Sequence, residues 1–148
     1  MKLTTRGHYS VKALLDLSLQ PAGTVSSVNA IAARQSLPAP YLEKLLISLR
    51  RSHLVSAVRG PQGGYQLAKP PSQISLGQIL EAVGESASPF INAAEAIPDR
   101  AEDWVTSMLW QRLQQKLKEA FYSITLEDLY YDARSWQASQ GEEASFVV

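Results

Sequence analysis

The stretch that decides the fold is residues 39–67, APYLEKLLISLRRSHLVSAVRGPQGGYQL. Its first half places Leu42, Leu45, Leu46 and Leu49 at i, i+3, i+4 and i+7, the stripe of a helix that must face a core. Pro38 and Pro40 suit the first turn of that helix, where a missing N–H would have had no partner. The helix should end near Ser52. Its opposite face carries Pro40, Glu43, Lys44, Ile47 and Arg51, flanked by Tyr41, Ser48 and Arg50, so a mixed polar surface points rigidly outward. The second half, LVSAVR and YQLA around GPQGG, reads as two short β-strands joined by a glycine-rich turn.

Upstream, Thr5 to Gln20 reads as a largely buried helix capped by Thr4 or Thr5 and ended by Pro21. A short helix from Val28 to Gln35 follows, capped by the Ser26-Ser27 pair. Two helices separated by a short break, then a hairpin, are the parts of a winged helix-turn-helix. Downstream, a short helix starts near Ser75 and ends at Gly84. Residues 85–100 lack a period. From Ala101, the residues Val105, Met108, Leu109, Leu113, Leu117, Phe121 and Ile124 keep helical spacing over about six turns, more than one small domain needs. TLEDLYYDARSW adds a last short helix.

The expected fold is therefore mostly α with a small β-hairpin wing (α+β). A winged helix-turn-helix domain spans 1–84, and an effector or sensor-type loop covers 85–100. A dimerisation helix with a short packing helix occupies 101–132, and a mobile C-terminal tail 133–148.

Net charge is zero over 148 residues, but the halves differ. Residues 1–75 hold nine Lys and Arg against Asp16 and Glu43, net +7, and the remainder is −7. That asymmetry marks a module for a polyanion. In such a fold the second helix enters the major groove, and bases are read from its outer face. A carboxylate aimed at DNA is repelled by phosphate, so Glu43 makes sense as an acceptor for a cytosine amino group, against the plainer alternative of a solvated or i, i+4 paired glutamate. Arg59, just before the wing tip, suits a narrow minor groove. Gly60, Gly63 and Gly64 admit positive φ and close approach to phosphate. The candidate DNA contacts are Lys2, Thr4, Tyr9, Ser27, Ala39, Pro40, Tyr41, Glu43, Lys44, Arg50, Arg51, Arg59, Gly60, Pro61, Gln62, Gly63 and Gly64. The candidate dimerisation residues are Val105, Met108, Leu109, Leu113, Leu117 and Phe121.

The chain has no cysteine, which excludes disulfides, thiolate metal sites and thiol sensing. With no H-E-x-x-H, G-x-S-x-G or P-loop GK[ST] pattern, an enzyme is not expected. The start MKLTTRGHYS has no apolar run behind it, so a cytoplasmic protein is expected.

MKLTTRGHYSVKALLDL, PYLEKLLISLRRSHLVSAVRGPQGGYQLA, ISLGQILEAVGE and the later LW…ITLEDL resemble the Rrf-type (IscR/NsrR/CymR-like) regulators over nearly residues 1–131. The resemblance implies a homodimer built on the long helix, each subunit reading half of a near-palindromic operator to repress or activate transcription. It also implies base or groove contacts for Glu43, Lys44 and Arg59. Iron-sulfur members of that family carry three cysteines before the long helix and a histidine on it. Here the last cysteine position is Trp104 and the histidine position Ser107, so no cluster, metal or other cofactor is expected, and control falls to a small molecule or a partner protein. His8 is read as a phosphate or helix contact, with a ligand role as the alternative, and His53 as a turn residue. The aromatic group Trp104, Trp110, Phe121, Tyr122, Tyr130, Tyr131 and Trp136 fits core or dimer interface, or else an effector pocket between subunits. The competing function is a protein-interaction module that keeps the fold without DNA binding.

Overall fold

A computed structural model describes residues 4–85 and 99–146, with side chains as far as Gly141. Helix α1 (Thr5–Leu19) starts at Thr4, whose hydroxyl accepts from the Gly7 N–H. Helix α2 (Val28–Gln35) starts at Ser27, whose side chain accepts from Ala30 N–H, and stops where Ser36 turns left-handed. Both caps satisfy N–H groups that a helix start leaves without partners. Helix α3 (Ala39–Arg51) has proline in its first turn and buries Leu42, Leu45, Leu46 and Leu49.

Strands β1 (Val55–Val58) and β2 (Gly64–Leu67) pair antiparallel, with Val55 opposite Leu67 and Val58 opposite Gly64. Ser26 adds a bridge to Tyr65 on the outer edge of β2. A single 3-10 turn at Pro71–Gln73 leads to α4 (Leu76–Ala82), which opens on a reciprocal capping box between Ser75 and Gln78. The long α5 (Ala101–Ser123) and α6 (Leu126–Phe146) complete the chain. Leu76 N–H donates to Ile124 O and Leu126 N–H to Ile74 O, both at 2.8 Å. The α5–α6 corner is thereby fastened to the start of α4.

One core gathers Leu14, Leu17, Ile31, the four α3 leucines, Leu54, Val55, Ile74, Ile79 and Leu126. Burying each such side chain contributes about 1.5 to 3 kcal/mol, which holds α3 against α1 and α2. A winged helix-turn-helix with mostly helical content is thus the observed architecture.

The C-terminal end departs from expectation. The last helix does not stop near Trp136 or give way to a tail at 133; it runs 21 residues to Phe146. Thr125 and Asp128 start it by exchanging hydrogen bonds, Thr125 N–H to the carboxylate at 2.9 Å and Asp128 N–H to Thr125 Oγ1 at 3.2 Å. No proline interrupts ARSWQASQGEEAS, and its alanine, glutamine and glutamate are good helix formers despite Gly141. Lys2, most of the 85–100 loop and the last two residues lie outside the described residues.

Candidate nucleic-acid interface

Because the leucine stripe pins one face of α3 to the core, the opposite face is held in solvent. Pro40, Tyr41, Glu43, Lys44, Arg50 and Arg51 are all exposed on it. Tyr41 is set by an edge-on contact with Tyr9 of α1, ring centres 5.9 Å apart. Among the described residues the ion pairs are Arg6–Glu85, Arg34–Asp16 and Arg100–Glu102. Glu43 therefore has no cationic partner on its own helix, and the i, i+4 pairing is not formed. Lys44, Arg50, Arg51 and Arg59 are likewise in no ion pair.

Lys12 and Arg6, by contrast, are bonded within the fold. Lys12 Nζ donates to Gln35 O at 3.1 Å, closing the end of α2, and Arg6 binds both Glu85 and the Gly84 carbonyl.

The wing presents Arg59, Gly60, Pro61 and Gln62 to solvent directly after β1. Its glycines serve different purposes than expected. Only Gly60 has positive φ, at 111°. Gly63 and Gly64 are required by space: a Cβ on Gly63 would lie 2.1 Å from Val58 O, and one on Gly64 2.5 Å from the Ser26 backbone. Gly63 N–H closes the turn onto Gly60 O at 2.9 Å. Thr4 and Ser27 act as helix caps, with Ser27 exposed, Thr4 and Tyr9 half-buried, and Ala39 half-buried in the first turn of α3. His53, at φ 61°, forms the turn between α3 and β1, and exposed His8 leans on Tyr9 at 6.0 Å.

A network missed in the sequence lies behind this surface. Asp16, buried on α1, accepts from Arg34 Nε at 2.9 Å, Arg34 Nη2 at 2.7 Å and Gln35 Nε2 at 2.8 Å. Arg34 Nη2 also donates to Ser26 Oγ at 2.8 Å. The hydrogen bond and charge of Asp16 raise the Arg34 pKa above its ordinary value, against an opposing contribution from burial. The available signal was a carboxylate between Leu15 and Leu17 in an otherwise apolar helix run.

On α5, Trp104, Val105, Met108, Leu109 and Leu113 are between 37% and 57% exposed, whereas Phe121 is buried in its own subunit and Leu117 is half-buried. The aromatic group does not converge on one pocket within the subunit. Tyr130 and Tyr131 meet edge-on at 5.4 Å, and Trp136 is exposed on α6. The Tyr122 ring instead covers Gly77, and its hydroxyl donates to Glu81 Oε2 at 2.7 Å. That hydrogen bond, then burial and the Glu81 charge, raise the Tyr122 pKa. A pocket of about 230 Å³ lies between α3, the wing and α4, lined by Ser52, Leu54, Lys69, Gln78, Glu81 and Ala82. Its size falls below that of ordinary small-molecule sites.

A helix held outward by a leucine stripe, beside a hairpin tipped with an unpaired arginine, defines a winged helix-turn-helix of the DNA-binding regulator class. The chain belongs to the Rrf2 family, described as "Iron-dependent Transcriptional regulator", which matches residues 3–132. It is 63% identical to slr0846 of Synechocystis sp., named as an HTH-type transcriptional regulator, over the full length of both proteins. It is 38% identical to the HTH-type transcriptional regulator IscR of Cereibacter sphaeroides, over 87% of this chain and 86% of that one. Among solved structures, CymR, the global cysteine regulator of B. subtilis, superposes with a TM-score of 0.75 at 32% identity, covering 88% of this chain and 97% of its own. IscR of T. potens gives 0.74 at 36% identity, covering 93% and 91%. The chain is a DNA-binding transcription regulator and not an enzyme. No described helix is long and apolar enough to cross a membrane.

The iron in the family description does not fit the donors present here. There is no cysteine anywhere in the chain, and no three His, Asp or Glu among the described residues converge as a metal site. Ser107 and Trp104 supply neither thiolate nor imidazole, so a thiolate-held cluster has no ligand set.

Proposed function

We propose that the protein acts in the cytoplasm as a homodimer on a near-palindromic operator, each subunit reading one half-site. Helix α3 enters the major groove, with Glu43 accepting from a cytosine amino group and Lys44 placed for a base or phosphate. Arg59 enters the adjacent minor groove. Thr4, Tyr9, Ser27, Arg50, Arg51 and the wing backbone hold phosphates and set the register. The observation that carries this reading is the outward face of α3 and its neighbour Arg59, whose charges form no ion pair among the described residues. The exposed apolar stripe on α5 supports pairing of two subunits, because water-exposed tryptophan, methionine and leucine at helical spacing gain free energy on mutual burial.

Control does not run through a thiolate-held cluster. It runs through a small molecule or partner protein acting at the 85–100 segment, which leaves α4 at the Arg6–Glu85 contact.

Selection of bound sites from a random duplex pool tests the reading. A near-palindrome is expected, with half-sites about one helical turn apart. A purified dimer without sequence preference at moderate salt, with or without cell extract, overturns it.

A further inference from the structure

The Asp16 network has a geometry that core stability alone does not require. A carboxylate 2% exposed is costly to bury, and an apolar side chain of similar volume would fill the same space at less cost. What an apolar residue lacks is direction. Asp16 receives hydrogen bonds from two consecutive residues at the end of α2, Arg34 and Gln35, and the same guanidinium reaches on to Ser26. Ser26 is the residue to which the wing is fastened. Its N–H donates to Tyr65 O at 2.9 Å, and Tyr65 N–H donates back at 2.7 Å. A Cβ on Gly64 would lie 2.5 Å from the Ser26 backbone, so the strand packs against Ser26 with no side chain between them. One carboxylate therefore links α1, the end of α2 and the outer strand of the hairpin that carries Arg59.

We propose that Asp16 and Arg34 are positioning residues for DNA reading: without touching a base, they fix the angle between the α2–α3 pair and the wing, so that α3 and Arg59 enter their grooves together. The proposal rests on the DNA-reading function above. It assigns a specificity role to two residues that lie behind the contact surface.

The test uses the full-length protein, the operator duplex selected by the wild type and a random duplex. Ser26→Ala cuts the arm to the wing but leaves Asp16 paired. Arg34→Lys keeps the charge but loses the fork. Each should weaken operator binding about tenfold while changing random-duplex binding less than about twofold. In either background the further effect of Arg59→Ala should shrink from about tenfold to about twofold, because a misplaced wing already reaches its groove poorly. Since the chain has no cysteine, spin labels on cysteines placed at Asn29 and Gln62, diluted with unlabelled chain, report the wing angle without DNA. Their distance distribution should broaden in Ser26→Ala.

Variants with lowered melting temperature but an unchanged operator-to-random ratio, an undiminished Arg59 effect and an unchanged distance distribution would overturn the proposal and leave the DNA reading standing. A wild-type protein without operator preference would overturn both.

Discussion

Helices α3 and α5 both carry apolar residues at helical spacing, yet the fold treats them oppositely. In α3 the four leucines are at most 4% exposed; in α5 Met108, Leu109 and Leu113 remain 37% to 48% exposed. The apolar stripe of α3 is satisfied inside the subunit, which frees its polar face for a ligand. The stripe of α5 is unsatisfied among the described residues, so its free energy is available to another surface. One pattern builds a core, and the other seeks a partner.

Substitution should separate the two helices clearly. Leu46→Ala in α3, at a fully buried position, should cost about 2 to 5 kcal/mol, read as a drop in the urea midpoint at unchanged slope. Leu109→Asp in α5 should leave the subunit folded while shifting it from dimer to monomer in light scattering. Operator binding should fall with it, since two half-sites are no longer joined. A Leu109→Asp protein that stays a folded dimer at micromolar concentration would erase the distinction.

On the free face, Arg59→Ala should weaken specific binding by about 1 to 3 kcal/mol, and Glu43→Ala should relax discrimination at one base pair per half-site, both measured by titration of matched and substituted duplexes. Lys44→Ala or Arg51→Ala should lower the slope of log affinity against log salt by about 1 for each phosphate no longer neutralised. The smallest effect concerns the joint between the two regions. Tyr122 holds α5 to Glu81 of α4 with its pKa raised. A raised folded-state value means this contribution is fully present below the unfolded value, about 10, and disappears as pH rises through the folded value. Spectrophotometric titration should show a late-ionising tyrosine component that is lost in Tyr122→Phe.

The fold was legible in residues whose signals are local. Leu42, Leu45, Leu46 and Leu49 announced α3, and Thr4, Ser27 and Ser75 marked helix starts because their hydroxyls bond N–H groups three residues on. The outward set from Pro40 to Arg51 followed from the same period. Length was harder at α6, where the mixed residues after Trp136 carry no apolar stripe and their helix formation rests on propensity and propagation from the Thr125–Asp128 start.

Chain order and side-chain chemistry thus sufficed for the class of fold, the outward face of α3, the arginine at the wing and the missing thiolates, since each depends on neighbours within a few residues. Why Gly63 and Gly64 must be glycine, why Asp16 sits in an apolar helix, and which members of the α5 stripe stay wet could be learned only from the folded chain. Those answers depend on atoms brought together from distant positions: Ser26 against Gly64, Arg34 against Asp16, and Phe121 of α5 drawn inward while Leu109 stays exposed.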